Sequence, residues 1–118
     1  MQASITVVPW PQFALAELPA MLADVPLAVV EFWAADCLFS RLLAPTRAVL
    51  EQRYGSRLLM RRCVVQGAEP RCAELGVSAL PALLLFRRGR CVRRWIGEMH
   101  FSLVTSVIDA TLSGMELR

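Results

Sequence analysis

Apolar positions along the chain fall into two rhythms, short unbroken runs and segments that return every three or four residues. Ile5-Thr6-Val7-Val8 is a β-branched run stopped by Pro9 and Pro11, which predicts a first strand. Phe13, Leu15, Leu18, Met21 and Leu22 then recur at helical spacing, bounded or bent by Pro19 and Pro26. Leu27-Ala28-Val29-Val30-Glu31-Phe32-Trp33 is continuously apolar except for one carboxylate, the signature of a strand buried on both faces. Leu42, Leu43, Thr46, Val49, Leu50 and Tyr54 keep helical spacing up to Gly55, with a kink expected at Pro45. Leu58 to Val65 predicts a third strand, and Glu69 to Leu75 two helical turns closed by Gly76. Leu80 to Phe86 and Cys91 to Ile96 flank Arg87 to Arg90, so they predict an antiparallel hairpin. Leu103, Val104, Val107, Ile108 and Leu112 share one face of a last helix, expected to stop at Gly114.

The predicted order is β-α-β-α-β-α-β-β-α. Strands alternating with helices and ending in a hairpin imply an α/β fold, a central mixed β-sheet flanked by helices on both faces. The 118 residues suit a single domain, 1–118, with no repeat, linker or low-complexity tract. A hydrophobic share of 56% excludes a disordered chain. The apolar runs fall short of the roughly 20 residues a membrane helix needs, so no membrane association is expected. The first basic side chain is Arg41, which leaves no cationic segment for a secretory signal and points to a cytoplasmic protein.

Charge is uneven: positions 41 to 95 hold twelve arginines against three glutamates, in a chain of net charge +3. Five of them, Arg87, Arg88, Arg90, Arg93 and Arg94, crowd around Gly89. A basic hairpin can meet nucleic acid or an acidic protein. The sign pattern favours a solvated strand edge kept from pairing with other chains, which argues against nucleic acid as the partner.

The cysteines stand at 37, 63, 72 and 91 with no Cys-x-x-Cys pair, which argues against a structural zinc site, and no metal is expected. Without an export signal they also read poorly as a disulfide framework. Cys63 and Cys91 fit core or strand positions, and Cys72 a short helix. Cys37 differs, because it ends a buried strand and opens a helix, where free N–H groups and the helix dipole favour a thiolate. Asp36 beside it opposes the thiolate, so spacing leaves the direction of its pKa open.

These residues resemble the thioredoxin family. Val30-Glu31-Phe32-Trp33-Ala34-Ala35-Asp36-Cys37 is similar to the family's Val-Asp-Phe-Trp-Ala-x-Trp-Cys, and Arg41-Leu42-Leu43-Ala44-Pro45 to the helix that follows it. Gly76-Val77-Ser78-Ala79-Leu80-Pro81-Ala82-Leu83 is similar to Gly-Ile-x-Gly-Ile-Pro-Thr-Leu, whose proline is cis and faces the active cysteine. Phe86, Gly89 and Gly97 also fall where the family keeps Phe and Gly, and the match runs in register over residues 27–112. The resemblance implies a thioredoxin-like fold and thiol–disulfide chemistry at Cys37, with Pro81 aligning the target disulfide.

Departures cluster at the working end. The family's Cys-Gly-Pro-Cys is Cys37-Leu38-Phe39-Ser40, and Ser40 cannot release a mixed disulfide as a second thiolate would. Asp36 replaces the family's Trp, Ala82 its Thr and Glu31 its buried acid; Arg62 falls where the family has Lys, so the resemblance implies a Glu31–Arg62 pair, which without a resolving thiol to deprotonate is expected to be structural. Cys37-Leu38-Phe39-Ser40 is also similar to the Cys-Gly-Phe-Ser of monothiol glutaredoxins, but Leu38 replaces the glycine and the preceding Lys is absent. No cofactor is expected.

Two functions follow from the resemblance. In one, Cys37 is a lone nucleophile with Ser40 as hydrogen-bonding neighbour, Pro81 as the aligning backbone edge, and Glu31, Arg62, Trp33 and Asp36 in support. Its role is redox homeostasis by mixed-disulfide formation, isomerisation or deglutathionylation, on a protein or peptide substrate, with glutathione as candidate resolving thiol. In the other, the chain is a non-catalytic adaptor or assembly chaperone holding peptides in a groove of Leu38, Phe39, Leu80 and Pro81. Leu38 and Phe39 equally suit inward packing. His100 is expected near the N-terminus of the last helix rather than in chemistry.

Overall fold

The computed structural model describes residues 10–34, 41, 43–66, 69–97 and 99–116. Its sheet has five strands, β1 (Gln12–Ala14), β2 (Leu27–Trp33), β3 (Leu59–Val64), β4 (Ala82–Arg87) and β5 (Arg90–Ile96), in the order β1-β3-β2-β4-β5. Among the described residues the helices α1 (Leu18–Leu22), α2 (Ala44–Tyr54), α3 (Pro70–Glu74) and α4 (Phe101–Glu116) complete the α/β architecture. β1 and β2 both run parallel to β3, while β4 runs antiparallel to β2 and to β5, so the sheet is mixed.

β2 lies at the centre, and its side chains through Phe32 are buried, as an unbroken apolar run requires. Alternation divides the sheet into two cores. Ala28, Val30, Phe32, Cys63, Ala82, Leu84 and Phe86 meet Leu15, Leu18 and Leu22 on one face. Leu27, Val29, Leu83 and Leu85 meet Leu50 and Tyr54 of α2 and Val104 and Ile108 of α4 on the other. Each fully buried Leu, Val or Phe stabilises the fold by about 1.5–3 kcal/mol, so these layers dominate the fold's cohesion.

Several boundaries differ from the expected ones. Phe13 belongs to a strand, not a helix: it stands opposite Cys63, and backbone pairing with the exposed edge of β3 outweighs the helical spacing of its side chain. A 3-10 turn, Leu15–Glu17, then leads into α1. Pro45 does not kink α2 but occupies its first turn, where a missing N–H leaves no helical hydrogen bond unmade. β4 begins at Ala82 rather than Leu80, and α4 runs through Gly114, because Met115 still packs on the core of that face. The expected strand from Ile5 to Val8 lies outside the described residues. At the start of α4, the His100 imidazole Nδ1 accepts the Ser102 backbone N–H at 3.2 Å, a cap on the helix's free donors.

Candidate active site

The site is built at the carboxyl end of β2. Glu31 points to the α2 face and is fully buried. Arg62 is its register partner on β3 and donates Nε–H to Oε1 at 2.7 Å. Arg47 reaches in from α2, and its Nη1 lies 2.9 Å from both carboxylate oxygens. Burial pushes the Glu31 carboxyl up from its ordinary range, and the two guanidiniums pull against it. Burial likewise pulls the Arg47 guanidinium down while Glu31 holds it up. The cluster carries two cations and one anion with side-chain exposures of 16% for Arg47 and 13% for Arg62, so its excess positive charge is largely withdrawn from water.

Trp33 closes the cluster. The Arg62 guanidinium stacks 4.2 Å from the indole centroid, a cation–π contact that fixes both groups. Phe32 stands opposite Ala82 on β4, so Trp33 and Pro81 come abreast at the same end of neighbouring strands. The Leu80–Pro81 peptide bond is cis, and Pro81 is buried, with its carbonyl accepting the Gly97 N–H at 2.8 Å. Leu80 is half-buried, packs on the core of the α1 face and lines a cavity of about 260 Å³ with Val65, Cys72 and Val77.

Asp36, Cys37, Leu38, Phe39 and Ser40 lie outside the described residues. Of the remaining candidates, Glu31, Arg62 and Trp33 form one cluster, with Leu80 and Pro81 at the adjacent strand start. Arg47 was missed by sequence reasoning, although it occupies the inward stripe Leu43, Arg47, Leu50, Tyr54. An arginine there was a signal that the buried carboxylate takes two partners.

The three described thiols are all discouraged from ionising. Burial pushes Cys63 up to about 12, and also raises Cys72 and Cys91. They are therefore poor nucleophiles at neutral pH.

The thioredoxin family model matches residues 12–110. The chain belongs to the thioredoxin family. It is 27% identical over 90 residues to thioredoxin C-2 of Corynebacterium nephridii, covering 76% of this chain and 82% of that protein. It is 30% identical over 78 residues to the thioredoxin of Alicyclobacillus acidocaldarius, covering 66% of this chain and 73% of the relative. Mitochondrial thioredoxin 3 of Saccharomyces cerevisiae, in its oxidized form, superposes with a TM-score of 0.71 at 22% identity, over 85% of this chain and 94% of that one, and carries the likeness in fold. Membership makes this a protein of thiol redox chemistry, with the thioredoxin-like fold expected from residues 27–112. Among the described residues, no helix is long and apolar enough to cross a membrane.

Proposed function

We propose that this thioredoxin-family protein works as a monothiol, with Cys37 as its single reactive cysteine. The observation that carries the reading is the register of β2 on β4, which sets Pro81 abreast of Trp33, four residues before Cys37 in sequence. The raised pKa values of Cys63, Cys72 and Cys91 support it by leaving no competing described thiolate.

In the proposed step the Cys37 thiolate attacks one sulfur of a substrate disulfide. A new S–S bond forms, the old one breaks, and the departing thiolate takes a proton from solvent. Ser40 supplies no second thiol, so the mixed disulfide persists until an external thiol such as glutathione attacks it. The net result is exchange or deglutathionylation of a protein or peptide substrate, in a reducing compartment such as the cytoplasm.

Incubation with a peptide disulfide at pH 7, followed by intact-mass analysis, is expected to show one adduct that Cys37→Ser abolishes. No adduct under conditions that label a control thiol would overturn the reading. Reduction of insulin with a thioredoxin reductase is expected to be at least 100-fold below that of a dithiol thioredoxin.

The adaptor reading draws support from Glu31. Held by two arginines, its carboxylate is occupied in bonding rather than free to move a proton. On that reading Cys37→Ala keeps partner binding, while Leu38→Asp or Phe39→Asp abolishes it.

A further inference from the structure

The arginine-rich hairpin is built differently from a merely protected edge. Arg87 ends β4 and Arg90 opens β5, and the two stand directly opposite in the ladder, a like-charge pair that disfavours the hairpin. Arg88 forms the turn between them, and Arg93 and Arg94 continue along β5. None of the five forms a salt bridge with another described residue. Edge protection calls for charge on the edge strand alone, whereas Arg87 sits one strand further in.

Among the described residues β5 is also the terminal strand, with no strand paired to its outer side. The ladder to β4 slips between Leu85 and Phe86, leaving Val92 as an extra, 46% exposed residue. Beyond that bulge, residues 93–96 resume regular pairing and end beside Pro81 through the Gly97 N–H. Arg94 is already held in place: its Nε–H donates to the Leu75 carbonyl, over the space that Gly76 leaves open. Its side chain is thereby committed to the α1 face, which leaves Arg90 and Arg93 on the other face as the uncommitted charges.

We propose that β5 is a docking edge for an acidic, extended polypeptide segment, which adds as a sixth strand and sets its carboxylates against Arg90 and Arg93, the two arginines on the α4 face of the strand. A strand edge offers alternating N–H donors and C=O acceptors, and another polypeptide backbone matches both. A phosphodiester backbone supplies acceptors only, so it satisfies the arginines but leaves the C=O half of the edge unmatched. The seven residues of β5 span roughly 23 Å, enough for a short acidic segment. This surface is distinct from the Cys37 chemistry and stands whether or not that thiol reacts.

The test uses the full chain and a fluorescein-labelled nonapeptide of alternating Glu and Val, followed by anisotropy. Saturable binding is expected, weakened at least tenfold by Arg90→Glu/Arg93→Glu and by 500 mM salt, and lost when alternate peptide amides are N-methylated. Arg90→Gln/Arg93→Gln serves in place of the charge reversal if the latter alters the thermal melt. Absence of saturable binding, indifference to either arginine pair, or equal binding of the N-methylated peptide would overturn the proposal. Tighter binding of a twelve-residue oligothymidylate would also overturn it, in favour of a nucleic-acid surface.

Discussion

Replacing Glu31 with Gln removes the carboxylate that both guanidiniums of the buried cluster share, while keeping its shape. Arg47 and Arg62, which sit 2.9 and 2.7 Å from the Glu31 oxygens, then face a neutral amide, with only the weaker pull of Glu51 on Arg47 in its place. Breaking a buried ion pair from one side costs about 3–5 kcal/mol, because the surviving charge stays desolvated. Exposures of 16% and 13% give the guanidiniums some access to water, and the burial that lifts the Glu31 carboxyl offsets part of what the neutral Gln loses, so the lower end, about 3 kcal/mol, applies. At ~2.1 cal/mol/K per residue, a domain of this length has an unfolding entropy of ~0.25 kcal/mol/K, so Tm falls by ~12 °C. Thermal unfolding followed by circular dichroism, with urea titration at 25 °C, reads this directly. A triple substitution, Glu31→Leu with Arg47→Met and Arg62→Met, removes all the charges together and is expected to recover stability to within about 1 kcal/mol of the parent. A Tm loss under about 4 °C for Glu31→Gln, or a triple variant less stable than the single one, would refute the view that mutual neutralisation of these groups holds the cluster.

Other outcomes follow from local geometry. Arg88 has φ +50° and Gly89 φ +81° in the two-residue turn between β4 and β5, the pattern of a type I′ turn. Arg88→Asn is expected to stabilise the protein by about 0.5–1 kcal/mol in urea titration, because Asn tolerates the left-handed region better. Gly76 has φ +79°, and an added Cβ would lie 2.6 Å from Arg94 Nε, so Gly76→Ala should cost about 1–2 kcal/mol. Arg94→Ala in the same chain should relieve part of that loss, and strictly additive melts would contradict the contact. Burial lifts Cys63 from 9.0 to about 12 and Tyr54 from 10.0 to about 12, so the unfolded chain releases these protons first as pH rises. Their stabilising contribution is full below pH 9 and is lost between about pH 9 and about 12. The urea midpoint should therefore fall from pH 7.5 to 10.5, and Cys63→Ala should flatten that slope; a midpoint independent of pH would contradict both assignments.

Much of this protein was legible in one dimension. The run Leu27 to Trp33 announced a central strand because a segment buried on both faces has no position left for exposed polar groups, and Glu31 stood out within it for the same reason. The hairpin was equally readable, since a glycine within an arginine cluster separates two apolar strands. Short-range spacing failed where backbone pairing decided the conformation. Phe13 fits a helical stripe, yet the free edge of β3 captures residues 12–14 as a strand. Pro45 reads as a kink until the helix start is located one residue before it.

The site divides in the same way. Residue types and order alone marked Cys37 and Glu31, because a chemistry-bearing side chain in an apolar run or at a strand end is visible without coordinates; Ser40, Arg62 and Pro81 became candidates through the resemblance to the thioredoxin family. What only the tertiary structure decided is which of these groups share a charge balance. Arg47 is sixteen residues from Glu31 in sequence, and α2 folding back over the sheet is what brings it to 2.9 Å. Arg87 and Arg90 oppose each other only once the turn has closed. Charges interact through space with a strength set by distance and solvent exposure, and both quantities arise from chain packing.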